Sequence, residues 1–215
     1  MYRPKDFIES SPQVIKKLMQ DNPFATLVTA TPDGPFVNHL PTILEESETG
    51  QLTIVGHMAR ANPQWRHFEN NAEALVIYHG PHVYISPDWY EDSYIPTWNY
   101  SVVHARGPVT LLESPDDLNW ILEKTIDVFE PGPPKPWRKM LSEASRNSKL
   151  KAIVGFSVPV KQLEAKFKIS QNRTETDIRG VLQGLSTQSD DMSRKMREMM
   201  LQHYGFRHDK IGEVP

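Results

Sequence analysis

Apolar and polar positions alternate in short runs through the first half of the chain, and proline, glycine and asparagine separate the runs. FATLVTA at 24–30, PFVNHLPTIL at 35–44 and QLTIVGH at 51–57 each read as a strand, short runs rich in apolar and β-branched residues, with the prolines of the second pointing to an edge, bend or bulge. TPDG at 31–34 predicts a turn joining the first two into a hairpin. EALVIYHG at 73–80 and HVYISP at 82–87 predict a further pair, WNYSVVHARGPVTLL at 98–112 one long or bulged strand, and LKAIVGFSVPV at 150–160 a last one. LEAKFKISQNR has a mixed pattern that assigns no element.

Helical periodicity is confined to a few segments. Ser11 and Pro12 predict a helix start before Val14, Ile15, Leu18 and Met19, and Asp21-Asn22-Pro23 stops it. Ser114-Pro115 repeats that signal before DDLNWILEKTIDVF, and Asn62-Pro63 predicts a short helix after the third strand. WRKMLSEAS suggests another short helix, and residues 189–204 a closing amphipathic one whose methionines are packing residues. The pattern predicts one mainly β domain over residues 1–215: antiparallel strands closed into a barrel, peripheral helices and a C-terminal helical segment. Regular strand–helix alternation, GxGxxG and GxxxxGK[ST] are all missing, which argues against doubly wound dinucleotide and P-loop folds.

Composition narrows the chemistry. The 215 residues include no cysteine, which removes thiol nucleophiles, thiolate metal sites and disulfides. No stretch approaches the roughly 20 apolar residues of a membrane helix, and the charged start MYRPKDFIES is unlike a signal peptide, so a cytoplasmic location is expected. The net charge of -3 hides a division: residues 1–134 hold 18 acidic and 8 basic side chains, residues 135–215 hold 9 and 16. Such asymmetry suits an anionic ligand, a nucleic acid, or pairing within the fold or across a dimer.

Three clusters carry candidate chemistry. In GHMARANP at 56–63 a strand ends at His57, and Arg60 lies beside a helix start at Asn62; the arrangement suits either a phosphate or a structural ion pair and cap. GPHVYISPDWY and YIPTWNY concentrate His82, Tyr84, Ser86, Trp89, Tyr90, Tyr94, Trp98 and Tyr100, a supply of flat surfaces and hydroxyls for a planar ligand or a subunit interface. In KFKISQNR, Lys168, Gln171, Asn172 and Arg173 offer donors that could close a polar site. The histidines form no metal-binding spacing, and Ser86 has no GxSxG setting.

With MYRPKDF, NPFATLVT, NHLP, GHMARANPQW, GPHVYISPDWY, PTWNY, FKISQNR and GVLQGL, nearly the whole chain resembles the PaiB family of FMN-binding negative transcriptional regulators. The resemblance implies a six-stranded FMN-binding split β-barrel with peripheral helices, and a homodimer whose flavin pockets lie near the subunit boundary. It implies FMN as cofactor, His57, Arg60 and Asn62 in the pocket, and Arg60 on the phosphate. Tyr84, Ser86, Trp98 and Asn99 would lie near the flavin or its opening, and Lys168, Gln171, Asn172 and Arg173 would close it. Whether the protein is an enzyme stays open: a flavin-dependent oxidoreductase acting on a small molecule, a noncatalytic regulator and a haem-binding split barrel are the alternatives. Direct DNA binding finds only the basic segment 137–149 in its support.

Overall fold

The computed structural model describes residues 1–91, 95–133 and 148–206, apart from the side chains of 69–71. Its strands are β1 (Ile8–Glu9), β2 (Phe24–Thr31), β3 (Gly34–Glu46), β4 (Leu52–Ala59), β5 (Glu73–Ile85), β6 (Thr97–Pro108), β7 (Thr110–Leu112), β8 (Ile153–Pro159) and β9 (Gln162–Lys168). Helices α1 (Pro12–Asp21), α2 (Pro115–Phe129), α3 (Glu175–Ser186) and α4 (Asp191–Tyr204) accompany them. The chain folds as two compact units: Met1–Ile15, His79–Val103 and Ala165–Pro215 form the first, Lys16–Tyr78 and His104–Glu164 the second.

In the second unit the strand order is β5-β2-β3-β4-β8-β7. The hairpin expected from TPDG is present, since β2 and β3 pair antiparallel from Phe24↔Pro41 to Thr31↔Gly34. Val28 faces Val37 on one side and Leu75 of β5 on the other, which makes β2 an interior strand. Leu27, Ile54, Val76 and Phe156 are buried, and each such side chain contributes about 1.5–3 kcal/mol of hydrophobic stabilisation. Helix α2 starts where Ser114 and Pro115 predict it, with the Ser114 hydroxyl accepting the Asp117 N–H at 3.1 Å. Its Ile121 closes a small apolar cluster with Ile43 and Val55. Tyr78 is also buried, and its hydroxyl lies 2.9 Å from that of Thr42, which donates to the Pro23 carbonyl.

In the first unit the order is β1-β9-β6-β5, with Ile8 opposite Lys166. Helices α3 and α4 share an apolar cluster with Ile85, Tyr90 and Ile169, and Met196 and Met200 are fully buried in it, as packing residues. Asp190 caps α4 through the Ser193 N–H, and Gly205 ends it in the left-handed conformation.

The six strands that the resemblance implies become nine among the described residues, and the seven strand runs of the sequence map onto them with local changes, the short β1 (Ile8–Glu9) being an addition. The two runs at 73–80 and 82–87 form the single strand β5, because the fixed φ of buried Pro81 is compatible with extended backbone. The run at 98–112 divides into β6 and β7 because the Val109 N–H turns to the Ala72 carbonyl, after which Leu111 pairs with Phe156 of β8. The mixed run at 162–168 is β9: its charged Glu164 and Lys166 are buried, with the Lys166 ammonium 5.4 Å from the Tyr2 ring and 5.2 Å from that of Tyr100. The segment after Asn62 is the 3-10 helix Pro63–Asn71. The short helix expected from WRKMLSEAS and most of the basic segment 137–149 lie outside the described residues.

Candidate functional site

The candidate residues fall into two groups, one in each unit, and each group has its own geometry. In the second unit β4 carries His57 opposite Gly155 of β8 and hands the chain to Arg60. Burial alone pushes the His57 ring below its ordinary pKa of 6.5, so it is a neutral imidazole near pH 7. The Arg60 N–H binds the Ala152 carbonyl at 2.8 Å. The guanidinium donates to Glu113 Oε1 at 2.9 Å and to the Ile153 carbonyl at 3.3 Å, and lies 5.9 Å from the centre of the Trp65 ring. Trp65 Nε1 in turn donates to the Arg60 carbonyl at 3.0 Å. The result is a half-exposed guanidinium held in one orientation, with an equally exposed carboxylate on part of its fork.

Asn62 does cap the 3-10 helix, its Oδ1 accepting the Gln64 N–H at 3.0 Å. It also accepts from Asn38 Nδ2 at 3.3 Å, and Asn38 donates to Gln64 Oε1 at 2.9 Å. Gln64 is fully buried, and its Nε2 donates to the Leu27 carbonyl, Thr29 Oγ1 and the Phe36 carbonyl. This network pins the 60–65 segment to β2 and β3. Glu113, Asn38 and Gln64 were absent from the expected residues. Glu113 and Asn38 lie 53 and 24 residues from their partners Arg60 and Asn62, separations that no local spacing signals, whereas Gln64 sits two residues after Asn62 and is reached through the cap itself.

In the first unit Tyr84 of β5 and Trp98 of β6 are 45% and 53% exposed, with ring centres 6.2 Å apart in an edge-on contact. His82 stacks near Trp98 at 6.5 Å. Lys168 Nζ donates to Thr97 Oγ1 and to the Trp98 carbonyl. Burial, then the charges of Arg173 and Lys166, hold its pKa below the ordinary lysine value. An anion beside this cluster would relieve that repulsion.

The other expected residues of this unit stand behind or beside the exposed rings. Asn99 is fully buried and donates to Ser170 Oγ at 2.9 Å, where Ser170 adopts a φ of 73°. Ser86 Oγ accepts the Asp88 N–H and starts the turn at Pro87–Trp89. Gln171 accepts the Ile169 N–H and donates to the Phe167 carbonyl, closing its own turn. Asn172 is exposed, and Arg173 lies over the Tyr90 ring at 4.7 Å. Tyr84 and Trp98 therefore present ring surface and Lys168 and Arg173 charge, whereas Asn99, Ser86 and Gln171 shape the backbone that carries them.

Residues 1–162 match the family described as "Putative FMN-binding domain". The chain belongs to this PaiB-type FMN-binding family. Over 202 residues, covering 93% of this chain and 96% of the relative, it is 39% identical to the protease synthase and sporulation protein PAI 2 of Bacillus subtilis (strain 168). Its fold resembles that of the flavocytochrome Anf3 from Azotobacter vinelandii, with a TM-score of 0.59, 16% identity, and coverage of 82% of this chain and 77% of that one. The FAD and heme binding protein from Mycobacterium smegmatis gives a TM-score of 0.57 at 18% identity, covering 74% and 72%. The PaiB-type chain is thus a mainly β protein of the flavin split-barrel class, and FMN is its cofactor. Among the described residues no helix is long and apolar enough to cross a membrane.

Proposed function

We propose that this PaiB-type protein uses FMN for redox chemistry on a small molecule. Two local assignments follow, each resting on its own unit. Arg60, flanked by His57 and Asn62, is the anchor for the FMN phosphate: its guanidinium is oriented by Ile153 and Trp65, and among the described residues the exposed Glu113 carboxylate competes for it. Exposed surface ion pairs of this kind contribute about 0.2–1 kcal/mol, less than a charge-assisted bond to phosphate. Tyr84 and Trp98 form a surface for a planar ring, with Lys168 and Arg173 supplying positive charge nearby.

The oriented Arg60 fork is the observation that carries the proposal. FMN supplies hydride or single-electron transfer, while the protein orients it and adjusts its electronics through polar contacts. The purified protein is expected to show a flavin absorption spectrum that bleaches under an anaerobic reductant and returns when a small-molecule acceptor is added. Reconstitution with FMN that yields no bound flavin would remove the proposal.

The relationship to PAI 2, whose name refers to protease synthase and sporulation, favours a second reading as a flavin-responsive regulator. Salt-sensitive binding that separates a specific duplex from a random one would support it, and equal binding to both at low salt would count against it. A homodimer is the expected assembly in either case, since exposed aromatic anchors also suit a subunit interface. Its mass in solution tests this.

A further inference from the structure

The aromatic surface of the first unit is carried by backbone that the C-terminal helical pair holds in place. Thr174 caps α3 through the Asp177 N–H. One helical turn further on, Gly180 and Gly184 are four residues apart and share a face of the helix. The turn that leaves β5 rests on this face. A Cβ on Gly180 would stand 2.0 Å from the Trp89 carbonyl oxygen, and one on Gly184 would stand 2.2–2.5 Å from three atoms of the Trp89 indole. No side chain larger than hydrogen fits at either position without moving Trp89.

The same turn is tied at its next residues. Tyr90 is buried in the cluster formed with α3 and α4, beneath Arg173, and the Glu91 N–H donates to the buried Asp177 carboxylate at 3.0 Å. On β6, the Trp98 carbonyl is held by Lys168, and Asn99 donates to Ser170 Oγ and to Met200 Sδ of α4. Tyr204 of α4 donates to the Ile169 carbonyl at 2.8 Å, and burial pushes its pKa up to about 12. The ends of both strands that carry Tyr84 and Trp98 are therefore fastened to residues 168–204, beyond the 1–162 stretch matched by the family.

We propose that the Gly180–Gly184 groove of α3 is a positioning element for ring binding: by seating Trp89 it fixes the Ser86–Glu91 turn and, through it, the placement of Tyr84 beside Trp98. This rests on the reading that Tyr84 and Trp98 receive a planar ring. In this role Gly180, Gly184 and Trp89 act through the turn, as positioning residues.

Riboflavin, which has the ring system without the phosphate, is the probe, with FMN alongside. Alanine is the better helix former, so Gly184→Ala without the clash would leave α3 at least as stable. With the clash, riboflavin binding should weaken about tenfold and the visible circular dichroism of the bound ring should change. Trp89→Ala, which removes the seated ring without adding volume, should weaken binding similarly and serves if Gly184→Ala does not fold. In the Trp89→Ala background, adding Gly184→Ala should have no further effect, because the indole it meets is gone. A lowered Tm with unchanged riboflavin Kd and dichroism in both single variants would overturn the proposal and leave the groove purely structural. If Trp98→Ala does not weaken binding of either flavin, the ring surface itself is wrong, and the positioning role falls with it.

Discussion

Removing the Arg60 guanidinium separates phosphate recognition from ring recognition in one experiment. In the free protein this side chain makes an exposed ion pair with Glu113 and a bond of 3.3 Å to the Ile153 carbonyl. Losing the ion pair costs about 0.2–1 kcal/mol, so Arg60→Ala should lower stability only modestly. A charge-assisted hydrogen bond to the FMN phosphate is worth about 1.5–3 kcal/mol, equivalent to roughly 10- to 150-fold in Kd. Quenching of flavin fluorescence measures FMN and riboflavin binding to the wild type and to Arg60→Ala. FMN affinity should fall by that factor while riboflavin affinity stays within about twofold, so the preference for FMN collapses. Unchanged FMN affinity in a folded variant would take Arg60 off the phosphate. Equal loss for both flavins would show that the substitution acts through the 60–65 backbone instead.

Further outcomes follow from the same contacts. Glu113→Gln frees the Arg60 fork and should tighten FMN binding by about two- to fivefold, with no such gain for riboflavin; weaker FMN binding would mean that Glu113 organises the anchor instead of competing with the ligand. Because burial depresses the His57 pKa in the folded state, the unfolded chain takes up its proton first as pH falls through about 6.5, and stability declines from there until the folded ring also titrates. His57→Gln should flatten that slope in Tm, measured over about one pH unit on either side of the ordinary value of 6.5. Tyr78→Phe should cost about 1 kcal/mol in urea unfolding, since Thr42 keeps its bond to the Pro23 carbonyl while one buried hydrogen bond is lost. A cost near zero would show that the Tyr78 hydroxyl is not stabilising.

Local patterns were enough to place most elements. Ser11-Pro12 and Ser114-Pro115 mark helix starts because capping and proline geometry are satisfied within a few residues. The runs at 24–30 and 35–44 pair as a hairpin because the two-residue connection Pro32-Asp33 brings them side by side at once. The strand end after His57 and the cap at Asn62 were legible for a related reason, since each is settled within a few residues. Strand β9 was not legible: its buried Lys166 and Glu164 look like surface residues until the rings of Tyr2 and Tyr100 are brought over the lysine.

The sequence by itself determined the mainly β class, the FMN-binding family and which stretches hold the charged and aromatic side chains. Tertiary structure decided what those side chains do. Glu113 reaches Arg60 across 53 residues, and Asn38 reaches Asn62 across 24, because strand register sets those meetings and neither is encoded as a short-range spacing. Asn99 and Trp98 are neighbours in the chain, yet the pleat sends one into the core against Ser170 and leaves the other exposed. Gly180 and Gly184 read as helix-weakening residues until Trp89 is laid across them, since a missing Cβ acquires meaning only from what occupies the space.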